Sequence, residues 1–221
     1  MQALEFIYKR RSVRKFKDTD KPIPKEHLEQ IITAAAAAPS GKNLQNWHFV
    51  VVTNKDKIQE IANIIVKKNA ELAECLSDPD QIKAFKNSLP AHTFFKKAPA
   101  LVIIYAGPYP VVADQFLAAG IMDTEKALEL KNPNPGIQNI GAAIENLLLV
   151  AAHLGYGTCW MTGPTYAFEE ISAYIEFDKI VGKKDYYLAA MTPLGIPANE
   201  QDLKPVPSKR KPLDEVLTVL E

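Results

Sequence analysis

Cysteine is nearly absent from this 221-residue chain: Cys75 and Cys159 are the only two. Two cysteines make neither a disulfide framework nor a ligand cluster, so the chain is expected to rely on its own hydrophobic core in a reducing compartment, the cytoplasm. Histidine is sparse as well. His27, His48, His92 and His153 show no metal-ligand spacing, and no metal is expected. Net charge is missing: 26 basic side chains balance 26 acidic ones, which excludes a general attraction to nucleic acid or to an anionic membrane. No long unbroken apolar run exists. The most apolar stretch, residues 137–154, carries Gln138, Asn139, Glu145 and Asn146, and reads as a buried helix rather than a membrane span. The opening MQALEFIYKRR puts apolar residues ahead of charges, unlike a secretory signal. Repeats and Gly/Ser linkers are missing too, so residues 1–221 are read as one domain whose 47% hydrophobic content excludes disorder.

Arginine is the scarcity that turns into a signal. Of the 26 basic residues only Arg10, Arg11, Arg14 and Arg210 are arginines. Neutrality also hides a partition: residues 1–17 carry a net +5, residues 204–211 a net +4, and the rest a net −9. All four arginines lie in the two basic ends.

Periodicity and breakers give a coarse order of elements. Helices are expected over 2–10, from Pro24 to Pro39, and over 55–74 with Ile58, Ile61, Ile65 and Leu72 inward. WHFVVVT (47–53) and PALVIIY (99–105) read as buried strands. Residues 79–97 look helical but mixed. Residues 107–136, rich in proline, read as a short helix between irregular segments of the kind that covers a site. The long helix 137–154 is expected to stop at Gly155 and Gly157; strand 158–162, helix 167–176 and strand 186–194 follow. In the closing PLDEVLTVLE, Leu213, Val216, Leu217 and Leu220 make a helical apolar stripe suited to a partner subunit.

Two segments carry candidate chemistry. RRSVRKF (10–16) presents three guanidinium forks and a serine hydroxyl, a donor set that matches phosphate; a solvated basic turn at a helix C-terminus is the competing reading. APSGKNLQNWHF (38–49) ends a helix at Pro39 and brings Asn43, Gln45 and Asn46 before a strand. Their amides suit the imide edge of a flavin or nucleobase, or simply line a polar loop. A P-loop is excluded because the first glycine is missing and the order is helix-to-strand. Cys159 and His153 lack an orienting third group, so a thiol hydrolase is rejected.

Together RRSVRKF, APSGKNLQNWHF, IGAAIENLLLVAAHLGYGTCWMTGP (140–164) and KPVPSKRKPLDEVL (204–217), in this order and spacing, resemble the FMN-dependent nitroreductase family. The resemblance implies an α+β fold with a mostly antiparallel central sheet flanked by helices. It also implies an intertwined homodimer whose tail, residues 205–221, reaches the partner, and two tightly bound FMN at the interface. It places the FMN phosphate, ribityl chain and pyrimidine edge at Arg10, Arg11, Ser12 and Arg14, with Arg14 near N1/O2. A second phosphate contact falls on Arg210 with Lys209. Pro39, Ser40 and Asn43 would reach the flavin of the other subunit, and Thr162, Gly163 and Pro164 would run along the isoalloxazine with a backbone amide toward N5. Asn46 stands where the family usually has proline, and Ser208 where a basic residue is common.

The expected activity is ping-pong hydride transfer from NAD(P)H through flavin N5 to an electron-poor small molecule such as a nitroaromatic or quinone, with no catalytic protein side chain. The same scaffold supports reductive dehalogenation, dehydrogenation and flavin fragmentation, and a non-catalytic FMN-binding protein is the alternative from another class.

Overall fold

A computed structural model describes residues 5–19, 21–204 and 210–220. Its centre is a four-stranded, wholly antiparallel sheet of β1 (Trp47–Val52), β2 (Ala100–Ala106), β3 (Gly157–Thr158) and β4 (Tyr187–Gly195), in the order β1-β2-β4-β3. Strand β2 is buried from end to end, which explains its unbroken apolar sequence: both faces of the sheet are covered. The period of two sorts its side chains. Val102 and Ile104 face a core with Ile31 and Ala35 of α2 (Lys25–Ala36) and Ile140, Ile144, Leu147 and Leu148 of α8 (Pro135–His153). Leu101, Ile103 and Tyr105 face the opposite core, made with Ile58, Ile61 and Ile65 of α3 (Lys55–Glu74) and Ile171 of α9 (Phe168–Tyr174). The molecule is therefore three layers, helices on both sides of an antiparallel sheet.

Local chemistry sets the helix ends. The Asn54 side chain accepts from Lys57 N–H at 2.9 Å to cap α3. Asn134 caps α8, with Pro135 in the first turn where no N–H is needed. Gly155, at φ +84°, ends α8 in the left-handed region that glycine tolerates.

Several expectations change. Helix α8 starts at Pro135, and α1 spans Glu5–Lys9 with Ile7 and Tyr8 exposed rather than packed inward. Gly157 is not a cap: it lies in β3, where a Cβ would come 2.7 Å from Val13 Cβ. The strand expected over 158–162 is a two-residue β3 plus a Met161–Met191 bridge, because Cys159 and Trp160 leave the ladder. Strand β1 is an edge strand, half-buried along its middle. Residues 79–97 hold α4 (Pro79–Asn87), α5 (Leu89–Thr93) and a 3-10 turn. Residues 107–136 hold two helices before α8, α6 (Val112–Ala118) and α7 (Thr124–Lys131), each capped by an aspartate in its first turn or at its N-cap. The tail forms only a 3-10 turn at Leu213–Glu215; Leu213, Val216, Leu217 and Leu220 are 52–91% exposed, with nothing in one chain to fold against. Residues 205–209, including Lys209, lie outside the described residues. Among the described residues no helix is long and apolar enough to cross a membrane.

Candidate functional site

The basic segment is fixed by alternation. Val13 and Phe16 are buried; Arg14 and Lys15 between them, and Ser12 before them, are exposed. The backbone is tied at both ends, by Val13 N–H to Thr158 O at 2.8 Å and by Lys17 N–H to Ile196 O at 2.8 Å. Gly157 lets this happen, since its missing Cβ is the space Val13 occupies. Residues 12–14 thus lie along β3 as a short added edge, bridging Ser12 to Thr158.

Around this edge the cations gather. Arg10 pairs with Glu145 of α8, Nε to Oε1 at 3.4 Å, so Glu145 is a partnered structural acid. Arg11 donates to the Gln201 carbonyl at 3.4 Å. Burial raises the pKa of the Cys159 thiol, while the charges of Arg14 and Arg10 and a hydrogen bond with Ser12 pull it back down. The net direction is upward, so the thiol stays protonated and unreactive at neutral pH. Ser12, Arg10 and Arg14 therefore all lie within electrostatic reach of the Cys159 thiol. Trp160, partly exposed, follows and packs beside Gly141 of α8, and Thr162 and Gly163 come next, both exposed, with Pro164 buried behind them. One protomer therefore unites Arg10, Arg11, Ser12 and Arg14 with the strand that leads into Thr162–Gly163–Pro164.

It does not unite them with Arg210: this residue is exposed, and among the described residues no hydrogen bond or ion pair joins it to the cluster. Nor does it bring in Pro39, Ser40 and Asn43. Their loop packs against another side of α8 through Asn139, whose Oδ1 accepts from Gly41 N–H at 3.1 Å. Asn139 and Asn146 face this loop and α2; Gly141 and Glu145 face Trp160 and Arg10, on average about 130° round the helix at 100° per residue.

The 40–46 loop is strained and held. Lys42, Asn43 and Gln45 all sit at positive φ (58°, 52° and 46°), each costing about 1–3 kcal/mol for a non-glycine residue. Ser40 Oγ accepts from Gln45 N–H at 3.0 Å. Beneath it lies a buried amide pair. Asn139 Nδ2 donates to Asn46 Oδ1 at 2.8 Å, and Asn46 Nδ2 donates to Gly107 O at 3.1 Å and Gly136 O at 3.4 Å. Tyr109 fills a slot beside Gly41, where a Cβ would meet its hydroxyl, and Lys42 donates to Pro110 O at 2.9 Å. The Asn46 amide, expected from sequence to suit a flavin edge, is instead buried and spent on Asn139, Gly107 and Gly136, while Asn139 and Tyr109 were not singled out from sequence as site residues. For Asn139 the available signal was an asparagine in an otherwise apolar helix.

The donor set fits an anionic cofactor phosphate: guanidinium groups with a hydroxyl among them, on a tethered backbone, matching three phosphoryl oxygens. Among the described residues no group of three or more His, Cys, Asp or Glu side chains gathers in a metal-binding arrangement.

An α+β fold with a sheet covered on both faces, and an arginine-rich edge beside the strand that leads into an exposed loop, defines a class of anion-holding proteins. Comparison with known proteins narrows it. The sequence profile of the Nitroreductase family matches residues 7–196, and the chain belongs to that family, whose members are NAD(P)H-dependent flavin oxidoreductases. A BluB-like flavoprotein from Clostridium difficile 630 is 38% identical, with a TM-score of 0.85 and full coverage of both chains. A nitroreductase from Bacteroides fragilis, solved with bound FMN, is 25% identical with a TM-score of 0.68, again over both whole chains. Iodotyrosine deiodinase of Hydra vulgaris is 26% identical over 212 residues, 94% of this chain and 69% of its own. The chain is thus a flavoprotein oxidoreductase of the nitroreductase fold.

Proposed function

We propose that this protein binds FMN tightly and passes reducing equivalents from NAD(P)H to an electron-poor small molecule such as a nitroaromatic or quinone, working as a cytoplasmic homodimer with two shared sites. Arg10, Arg11 and Ser12 hold the phosphate and ribityl chain, and Arg14 sits at the pyrimidine edge, where its charge favours the reduced, anionic ring. When bound, FMN supplies hydride chemistry at N5, so the protein needs no acid–base side chain of its own. The Thr162–Gly163–Pro164 backbone supports the ring, and its exposure leaves room for donor and acceptor in turn.

The observation that carries the reading is the tethered arginine edge. Three of the chain's four arginines lie on a segment whose backbone is fixed at Thr158 and Ile196, beside the strand that leads into exposed Thr162 and Gly163. The homodimer is supported by the divergence around α8. Pro39, Ser40 and Asn43 meet an arginine edge only if it belongs to a second copy. Exposed Phe6, Ile7 and Tyr8 and the apolar tail are the surfaces such a copy covers, with Arg210 and Lys209 carried into its phosphate site.

The test is direct. The purified protein should be yellow, bleach anaerobically with NADH or NADPH, and recover its colour on adding a nitroaromatic or quinone. A colourless protein that takes up no FMN refutes the cofactor assignment; a yellow protein that neither nicotinamide bleaches is a binding protein instead. Similarity to the Hydra deiodinase favours a second reading, reductive dehalogenation. There two electrons and a proton replace an aryl halogen by hydrogen and release halide. Halide release from a halophenol by the reduced protein, with no turnover of nitroaromatics, selects it.

A further inference from the structure

Helix α5 brings His92 against the loop assigned to the flavin, and nothing above uses it. An ideal Cβ on Gly163 would stand 2.5 Å from His92 Nε2 and 2.6 Å from its Cδ2, so the imidazole edge occupies the space a side chain would need. The ring is held from behind. Tyr166 Oη lies 3.4 Å from His92 Nδ1, the two rings are 5.5 Å apart, and Asn69, buried in α3, donates to the same Oη at 3.4 Å. Tyr166 and Nδ1 share a hydrogen bond whose direction depends on the tautomer; in the tautomer where the tyrosine donates, the imidazole carries its proton on Nε2, the nitrogen facing Gly163. Partial burial lowers the His92 pKa and favours that neutral form.

We infer that His92 is a positioning residue: braced by Tyr166 and Asn69, it fixes the backbone at Thr162–Gly163–Pro164 and thereby sets how strongly the bound flavin prefers its reduced state. This rests on the flavin reading above. It also gives α3 and α5 a role in the site: α3 supplies the anchor and α5 the brace, with Gly163 required because any side chain there displaces the ring.

The test is a double-mutant cycle on the FMN-loaded protein with His92→Ala and Gly163→Ala, read by FMN dissociation constant and flavin midpoint potential. Gly163→Ala alone should weaken FMN about tenfold, and most of that loss should vanish in the His92→Ala background, a coupling expected of touching residues. His92→Ala alone should shift the reduced-to-oxidised preference about tenfold, roughly 30 mV for a two-electron couple, and His92→Gln, whose amide reaches the Nε2 position, should restore most of it. The potential readout stands even if Gly163→Ala does not fold. An unchanged potential in His92→Ala, or an equal Gly163→Ala penalty with either residue at 92, overturns the inference while the flavin reading survives. Wild-type protein that binds no FMN overturns both.

Discussion

Replacing Asn139 by alanine should destabilise the protein more than its single amide suggests. The side chain makes two hydrogen bonds, accepting from Gly41 N–H and donating to Asn46 Oδ1, in a pair that is 6% and 3% exposed. The Gly41 bond is part-buried, and water can replace it, so its loss costs about 1 kcal/mol. The Asn46 oxygen has no such recourse and is left unpaired, at about 1–3 kcal/mol. The sum, about 2–4 kcal/mol, corresponds to a fall in Tm of roughly 5–12 °C for a domain of this size. Urea unfolding followed by fluorescence should show a lower midpoint with an unchanged slope. Asn46→Ala should cost more, because it also removes the donor to the Gly107 and Gly136 carbonyls and leaves the Asn139 Nδ2 without its acceptor. The double variant should cost less than the two singles added. An Asn139→Ala protein within about 0.5 kcal/mol of wild type, or strictly additive losses, refutes the view that this pair holds the strained 40–46 loop.

Other perturbations follow the same logic. Arg14→Ala should weaken FMN binding about 10–100-fold, the worth of one charge-assisted contact, without lowering the Tm of the apoprotein; unchanged affinity by fluorescence titration dissolves the arginine-edge assignment. Burial lowers the pKa values of His48 and His92 below the usual 6.5, so the unfolded chain binds protons first and stability should fall as pH drops below about 6.5. The fall should be shallower in His92→Gln, and identical slopes in the two proteins count against it. A chain ending at residue 211 should elute as a monomer in light-scattering chromatography and lose FMN, since it lacks the exposed Leu213, Val216, Leu217 and Leu220; a truncated dimer retaining flavin disproves the role given to the tail.

How much of this was legible in the sequence depended on whether the signal was local. The α3 period, the apolar β2 run and the Pro39 and Gly155 stops are written in consecutive residues, and each matches the structure to within a residue or two. Gly157 misled because two physical needs select the same residue. A left-handed cap and a close approach both call for glycine, and only the contact with Val13, far away in sequence, distinguishes them. Tail periodicity misled for another reason: an apolar stripe records what a segment buries, not the backbone it adopts before a receptor is present. The roles of Asn139 and His92 were illegible because their partners Asn46 and Tyr166 lie 93 and 74 residues away, and no spacing rule spans such distances.

The partition of charge gains its meaning from α8. A flavin phosphate is a dianion, and holding it away from water requires several fixed cations, yet cations on one backbone repel one another. Spreading the requirement over two chain ends relieves that repulsion in the protomer. Arg10 leans on Glu145, Arg11 on a carbonyl, and Arg210 stays apart from the cluster. Because α8 turns the 40–46 loop away from the arginine edge of its own chain, the two halves of the proposed site meet only across a pair of molecules. On that reading flavin binding and dimerisation are linked, each stabilising the other by mass action. FMN should therefore lower the dimer dissociation constant by the same factor that dimerisation tightens FMN, a reciprocity that sedimentation with and without flavin measures directly.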